Sequence, residues 1–205
     1  MLTLYDYQDS GNGYKCRLAL AQLGLPHRIL WRDIDKGETR TPDFLAKNPN
    51  GRIPLLELED GTCIAESNAI LWYLAEGSAL LPDDRLGRAQ ALQWLFFEQY
   101  SHEPYVATPR YILRHLGRQH PRMAEMPERL AKGHAALSVM EQHLARHDFF
   151  SAGRYSVADI ALYAYTHRAD EADLDLAPYP ALRAWLARVA AQPRHSPMFA
   201  STTNG

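Results

Sequence analysis

Short apolar stretches, some alternating with charge, occupy the first third of the chain, and beyond about residue 87 strand signals almost vanish and helical spacing takes over. Residues 2–5 read as a first strand, broken by Ser10-Gly11-Asn12-Gly13 before a helical run over 14–23 that Gly24 closes. Strand character returns over 26–34, with Ile29, Trp31 and Asp33 on one face against Leu30 and Arg32. A polar stretch follows, with a short helix over 42–46. The run 53–58 reads as a strand, Asp60-Gly61 as a turn, and a second short strand completes a hairpin. Ile70, Leu71 and Leu74 then recur at helical spacing over 68–76, with Ser67 in the N-cap position. The order is β-α-β-α-β-β-α, compatible with a thioredoxin-like layer of sheet between helices.

Residues 77–86 carry Gly, Ser, Pro and Asp and read as a linker. This divides the chain into an α/β domain over 1–76 and an all-α domain over 87–205. In the second part, helical spacing over 87–116 must be kinked or interrupted by Pro104 and Pro109. A helix starting at Met126-Pro127-Glu128 runs to about residue 147. Ser156 and Asp159 have capping-box spacing and open a helix to about residue 168. A last helix covers 179–191, and residues 201–205 read as a frayed tail.

Composition narrows the function classes. With 205 residues, 46% of them hydrophobic, the chain can bury one large core or two modest ones, which excludes disorder. A net charge of -2 offers no basic field for nucleic acid or an anionic membrane. The N-terminus has no signal-peptide pattern and no run reaches membrane-spanning length, so the expected location is the cytoplasm. Cys16 and Cys63 have no C-x-x-C spacing and the nine histidines form no local ligand pair, so neither a redox dithiol nor a metal site is expected.

The stretch NPNGRIPLLELEDGTCIAES, residues 48–67, suggests ligand chemistry. A cis Ile53-Pro54 bond at the strand entrance would turn the N–H and C=O of Ile53 outward, where they can pair with an extended peptide. Ser67 with the first helical N–H groups can hold a carboxylate, and Glu66 an ammonium. Alone, a proline before a strand is usually a turn and a serine before a helix a cap. Both in register within one hairpin-helix unit suit an amino acid.

With NPNGRIP, the turn and the Glu-Ser pair in place, the chain resembles the cytosolic glutathione transferase superfamily. That resemblance implies a thioredoxin-like N-terminal domain, an all-α C-terminal domain, and a two-fold dimer. It implies a loop at Ile53-Pro54 that pairs with the cysteinyl part of glutathione, and Glu66-Ser67 holding the γ-glutamyl end. Ser10-Gly11-Asn12-Gly13-Tyr14-Lys15 resembles the catalytic loop of serine-type and bacterial Nu-like members, where Ser10 or Asn12 would donate to the thiolate at the positive end of the first helix. Ser and Gly stand where the Nu-like loop has Thr and Pro. Arg52, or Arg40 in the preceding loop, would meet the glycyl carboxylate. Tyr105, Pro109 and Tyr111 would line an electrophile pocket, whereas Tyr5, Tyr7 and Cys16 are read as packing. The implied activity is addition of the glutathione thiolate to a small electrophile, with no metal or organic cofactor. Disulfide or peroxide reduction at the same site, and a non-catalytic interaction scaffold, are the alternatives.

Overall fold

The computed structural model describes residues 1–199, so the tail at 201–205 lies outside the described residues. The chain forms two units, Met1–Ser78 joined by residues 193–199, and Ala79–Gln192.

In the first unit, β1 (Leu2–Asp6) lies at the middle of a four-stranded sheet. It pairs in parallel with β2 (His27–Trp31) and antiparallel with β3 (Leu55–Glu57), which turns back into β4 (Cys63–Ala65), giving the order β2-β1-β3-β4. The β2 and β3 runs are shorter than the apolar stretches that announced them, because only these residues find a ladder partner. Side chains alternate across β1. Tyr5 points to one face, where its ring meets Phe44 of α2 (Pro42–Lys47) edge to face at 5.9 Å over Leu55. Asp6 points to the other, beneath the first turn of α1 (Gly11–Leu23). Beside α1 lies α3 (Ser67–Ala75). Gly24 ends α1 in the left-handed conformation (φ 66°), its N–H bonded to the Ala21 carbonyl, as the sequence indicated. Residues 193–199 return to this unit, and the buried Tyr14 hydroxyl donates to the Ser196 carbonyl at 2.6 Å.

The second unit is helical. α4 (Arg85–Phe97) begins inside the stretch read as linker, because Asp84 accepts the Gly87 N–H at 2.8 Å and caps it. The expected interruptions take a definite form: π-helical turns at Glu98–His102 and Ile112–Leu116 flank α5 (Glu103–Tyr111), so the long helix continues without a break in the chain path. Pro109 has no N–H for the Tyr105 carbonyl. That carbonyl instead lies against α6 (Met126–Leu144) at Gly133, where a Cβ would come within 2.8 Å of it. The predicted capping box is formed at α7 (Val157–Thr166), and α8 (Pro180–Ala190) closes the unit. Asp159 is fully buried and accepts from Ser156 N at 2.9 Å, Ser156 Oγ at 3.1 Å, Phe150 N at 3.2 Å and Trp185 Nε1 at 2.9 Å.

Candidate functional site

The N-termini of α1 and α3 meet, and Ser10, Asn12, Glu66 and Ser67 of the residues singled out in the sequence lie there. Ser10 is the N-cap of α1: its Oγ accepts the Gly13 N–H at 3.1 Å while its own N–H donates to the Tyr7 carbonyl. A hydroxyl carries one proton and two acceptor positions, so capping leaves the Ser10 proton for another acceptor. Asn12, two residues on, accepts at Oδ1 from Ser67 Oγ at 3.3 Å.

Ser67 was expected as the N-cap of α3 and is instead its first helical residue. The cap position falls to Glu66, at φ 68° and ψ 115°, whose side chain makes no cap bond. The reason lies in the packing, since the buried Ser67 hydroxyl is engaged by Asn12 and by Lys15 Nζ at 3.3 Å. Glu66 therefore gives the N-terminus of α3 no side-chain cap, and the N–H groups of its first turn suit an anion. The Glu66 carboxylate is exposed beside them.

The Ile53-Pro54 peptide bond is cis, as expected. Because β3 begins only at Leu55, Ile53 stands outside the strand ladder. The loop that delivers it is fixed by Asn48, whose Nδ2 donates to the Arg52 carbonyl at 2.8 Å and whose Oδ1 accepts the Asn50 N–H. Arg40 is tied to this loop through Nη1 to the Asn50 carbonyl at 3.1 Å, and Gly51 (φ 61°) leaves room for its guanidinium. The Arg52 side chain is exposed.

The residues read as packing divide. Tyr5 is 6% exposed and its hydroxyl donates to Glu57 Oε2 at 2.5 Å, with burial and that carboxylate pushing the phenol upward. Tyr7 reaches outward to Asp35 Oδ2 at 3.4 Å and is not a core residue. Cys16 is wholly buried, and burial pushes its thiol far above the ordinary range, which makes it inert. In the second unit, Lys132 Nζ lies 5.3 Å from the Tyr105 ring centroid, Tyr111 stacks on His115 at 5.0 Å, and Pro109 is buried.

Two buried charges beside α1 and α3 escaped the sequence reading. Lys15 has no solvent exposure, and its ammonium reaches Ser67 Oγ and Asn68 Oδ1 at 3.3 and 3.4 Å. Asp6, also fully buried, accepts the Tyr7 N–H at 2.7 Å and pairs with Arg17 at 3.0 Å. Burial pushes its carboxyl up to about 7, against the pull of Arg17. Each had a signal: Lys15 shares a helix stripe with Leu18 and Ala19, and Asp6 continues the inward face of Leu2 and Leu4.

Residues 1–76 match the protein-family model for the glutathione S-transferase N-terminal domain, and residues 123–188 that for the C-terminal domain. A glutathione S-transferase from Pseudomonas fluorescens Pf-5 has a similar structure, with a TM-score of 0.95 and 52% identity over 97% of this chain and 98% of its own. The disulfide-bond oxidoreductase YfcG of Escherichia coli K12 is 30% identical over 200 residues, 94% of this chain and 92% of that protein. URE2P6, a glutathione transferase from Phanerochaete chrysosporium solved with oxidized glutathione, matches with a TM-score of 0.84 and 27% identity over 94% of this chain and 92% of its own.

Proposed function

This chain belongs to the glutathione S-transferase family, and we propose that its first unit binds glutathione and holds the sulfur as a thiolate at the start of α1. The observation that carries this reading is the meeting of the two helix N-termini through the 3.3 Å bond from Ser67 to Asn12. It brings an anion-seeking helix end beside a second one whose capping serine has a proton to give.

Each part of the tripeptide then has a partner. The γ-glutamyl carboxylate takes the N–H groups that open α3 at Ser67 and Asn68, and its ammonium takes Glu66. The cysteinyl backbone pairs with the N–H and C=O of Ile53 as an added strand would, a geometry supported by the start of β3 at Leu55. Arg52, exposed beside this loop, is the cation for the glycyl carboxylate, since Arg40 is occupied with Asn50. Ser10 is the principal donor to the sulfur and Asn12 the second.

A free thiol has a pKa of about 8.5, so the site's work is to favour the anion at neutral pH. The thiolate then attacks an electrophilic carbon, forming a C–S bond as the leaving group or a π-electron pair accepts charge. A second outcome on the same site is attack on a disulfide sulfur, which releases one thiolate and leaves a mixed disulfide for a second glutathione to resolve. The likeness to YfcG and to a structure holding oxidized glutathione favours keeping this reading. In it both reacting thiols come from glutathione, because Cys16 is buried and inert and the Cys63 thiol, on β4, is also pushed upward by burial.

Ser10→Ala tests the assignment. The expected result is a fall in kcat of about ten- to a hundredfold with a smaller change in KM, because the lost hydrogen bond acts on the developing charge. Steady-state rates with a general electrophile and with a mixed glutathione disulfide read both reactions. An unchanged kcat would move the role to Asn12.

A further inference from the structure

The turn that carries Ser10 into α1 is tied down by charge. Tyr7 to Ser10 form a tight turn, closed by the Ser10 N–H to the Tyr7 carbonyl at 2.9 Å. Its entry is fixed by Asp6, whose Oδ1 accepts the Tyr7 N–H at 2.7 Å, and its crest by Arg17, whose Nη2 donates to the Gln8 carbonyl at 3.3 Å. The two side chains pair with each other, Arg17 Nη1 to Asp6 Oδ2 at 3.0 Å. Gly13, at the far end of the segment, packs on the same carboxylate and gives its N–H to Ser10 Oγ at 3.1 Å. Residues 7–13 are thus wound around one ion pair.

An ion pair is a costly way to fill this space. The Asp6 side chain has no exposure and that of Arg17 is 11% exposed, so both give up most of their hydration. An apolar pair of similar volume would hold α1 on β1 as well. What it would not supply is an acceptor for the Tyr7 N–H and a planar donor that spans from Asp6 to the Gln8 carbonyl. The rings of Trp31 and Tyr14, with centroids 5.3 and 5.8 Å from Arg17 Cζ, hold that donor in place.

We infer that Arg17, through Asp6 and the Gln8 carbonyl, is the positioning residue for Ser10: it sets the turn that aims the serine hydroxyl at the glutathione sulfur. A turn free to shift would weaken that hydrogen bond, whose strength falls steeply with distance and angle. The role requires no contact between Arg17 and the substrate. The inference rests on the proposal that Ser10 serves a glutathione thiolate in this unit.

The test is a double-mutant cycle read by the titration midpoint of the bound thiol, followed by ultraviolet thiolate absorbance at saturating glutathione across pH. The whole chain is compared with Ser10→Ala, Arg17→Met and the double variant, methionine keeping an apolar stem while removing the charge. Ser10→Ala is expected to raise the midpoint by about one pH unit and Arg17→Met by about half a unit. In the Ser10→Ala background, Arg17→Met should add nothing, because the hydroxyl it positions is gone. An equal rise in both backgrounds would show a plain loss of positive charge and overturn the inference. So would an unmoved midpoint in Arg17→Met or in Ser10→Ala, and each of these results leaves the glutathione site standing. If Arg17→Met does not fold, Arg17→Gln takes its place in the cycle. Absence of any bound thiolate in the unaltered chain overturns the proposed function and this inference together.

Discussion

Replacing Gly13 with alanine is expected to destabilise the first unit by more than about 3 kcal/mol, enough to prevent accumulation of folded protein. A Cβ at this position would stand 1.5 Å from Asp6 Oδ1, 2.1 Å from its Cγ and 2.4 Å from Oδ2. The carboxylate has nowhere to retreat, since it is fully buried and held by the Tyr7 N–H at 2.7 Å and by Arg17 at 3.0 Å. Relief would require α1 to lift from β1. That movement would carry off the Ser10 cap and the Asn12 link to Ser67, so any protein that folds should also lose glutathione binding. Equilibrium unfolding in urea reads the stability. A loss below about 1 kcal/mol would show that the turn accommodates the methyl and that Asp6 is not clamped.

The second large effect is expected in the helical unit, at Asp159→Ala. The carboxylate gathers four donors at 2.9 to 3.2 Å, among them the indole of Trp185, itself without exposure. Truncation leaves those donors buried and unpaired, for a loss of about 4 kcal/mol. The pH dependence should change with it. Burial pushes the Asp159 carboxyl up to about 7, against the four donors, while an unfolded aspartate titrates near about 4. The folded state thus binds this proton more tightly, so the contribution of Asp159 to stability falls as pH rises from about 4 to about 7. Asp6, raised to about the same value, adds a slope of the same sign. Urea melts across this range should show a shallower decline in Asp159→Ala than in the unaltered chain. An equal slope would mean that Asp159 is already ionised throughout.

Much of this was legible before the structure, and the reasons are local. The Gly24 cap, the Ser156 and Asp159 box and the cis Ile53-Pro54 bond each depend on a few consecutive residues, and the structure has all three. What the sequence hid depends on partners far along the chain. Ser67 looks like a cap because serine usually is one before a helix, yet Asn12 and Lys15, more than fifty residues earlier, claim its hydroxyl. The two prolines predicted a kink or an interruption but not its form, π-helical turns on either side of α5, whose Tyr105 carbonyl lies against α6 at Gly133. Lys15 and Asp6 were visible only as charges on inward faces. Nothing short of the fold shows that one lies beneath α3 and the other beneath Gly13.

The central claim is that the first unit binds glutathione as its thiolate. Calorimetric titration of glutathione near neutral pH, in two buffers of different ionisation enthalpy, reports binding and proton transfer together. Saturable binding is predicted, with an apparent enthalpy that changes with the buffer because the bound thiol releases its proton. No heat of binding at glutathione concentrations on the order of millimolar would contradict the account and leave the fold as a scaffold for other partners.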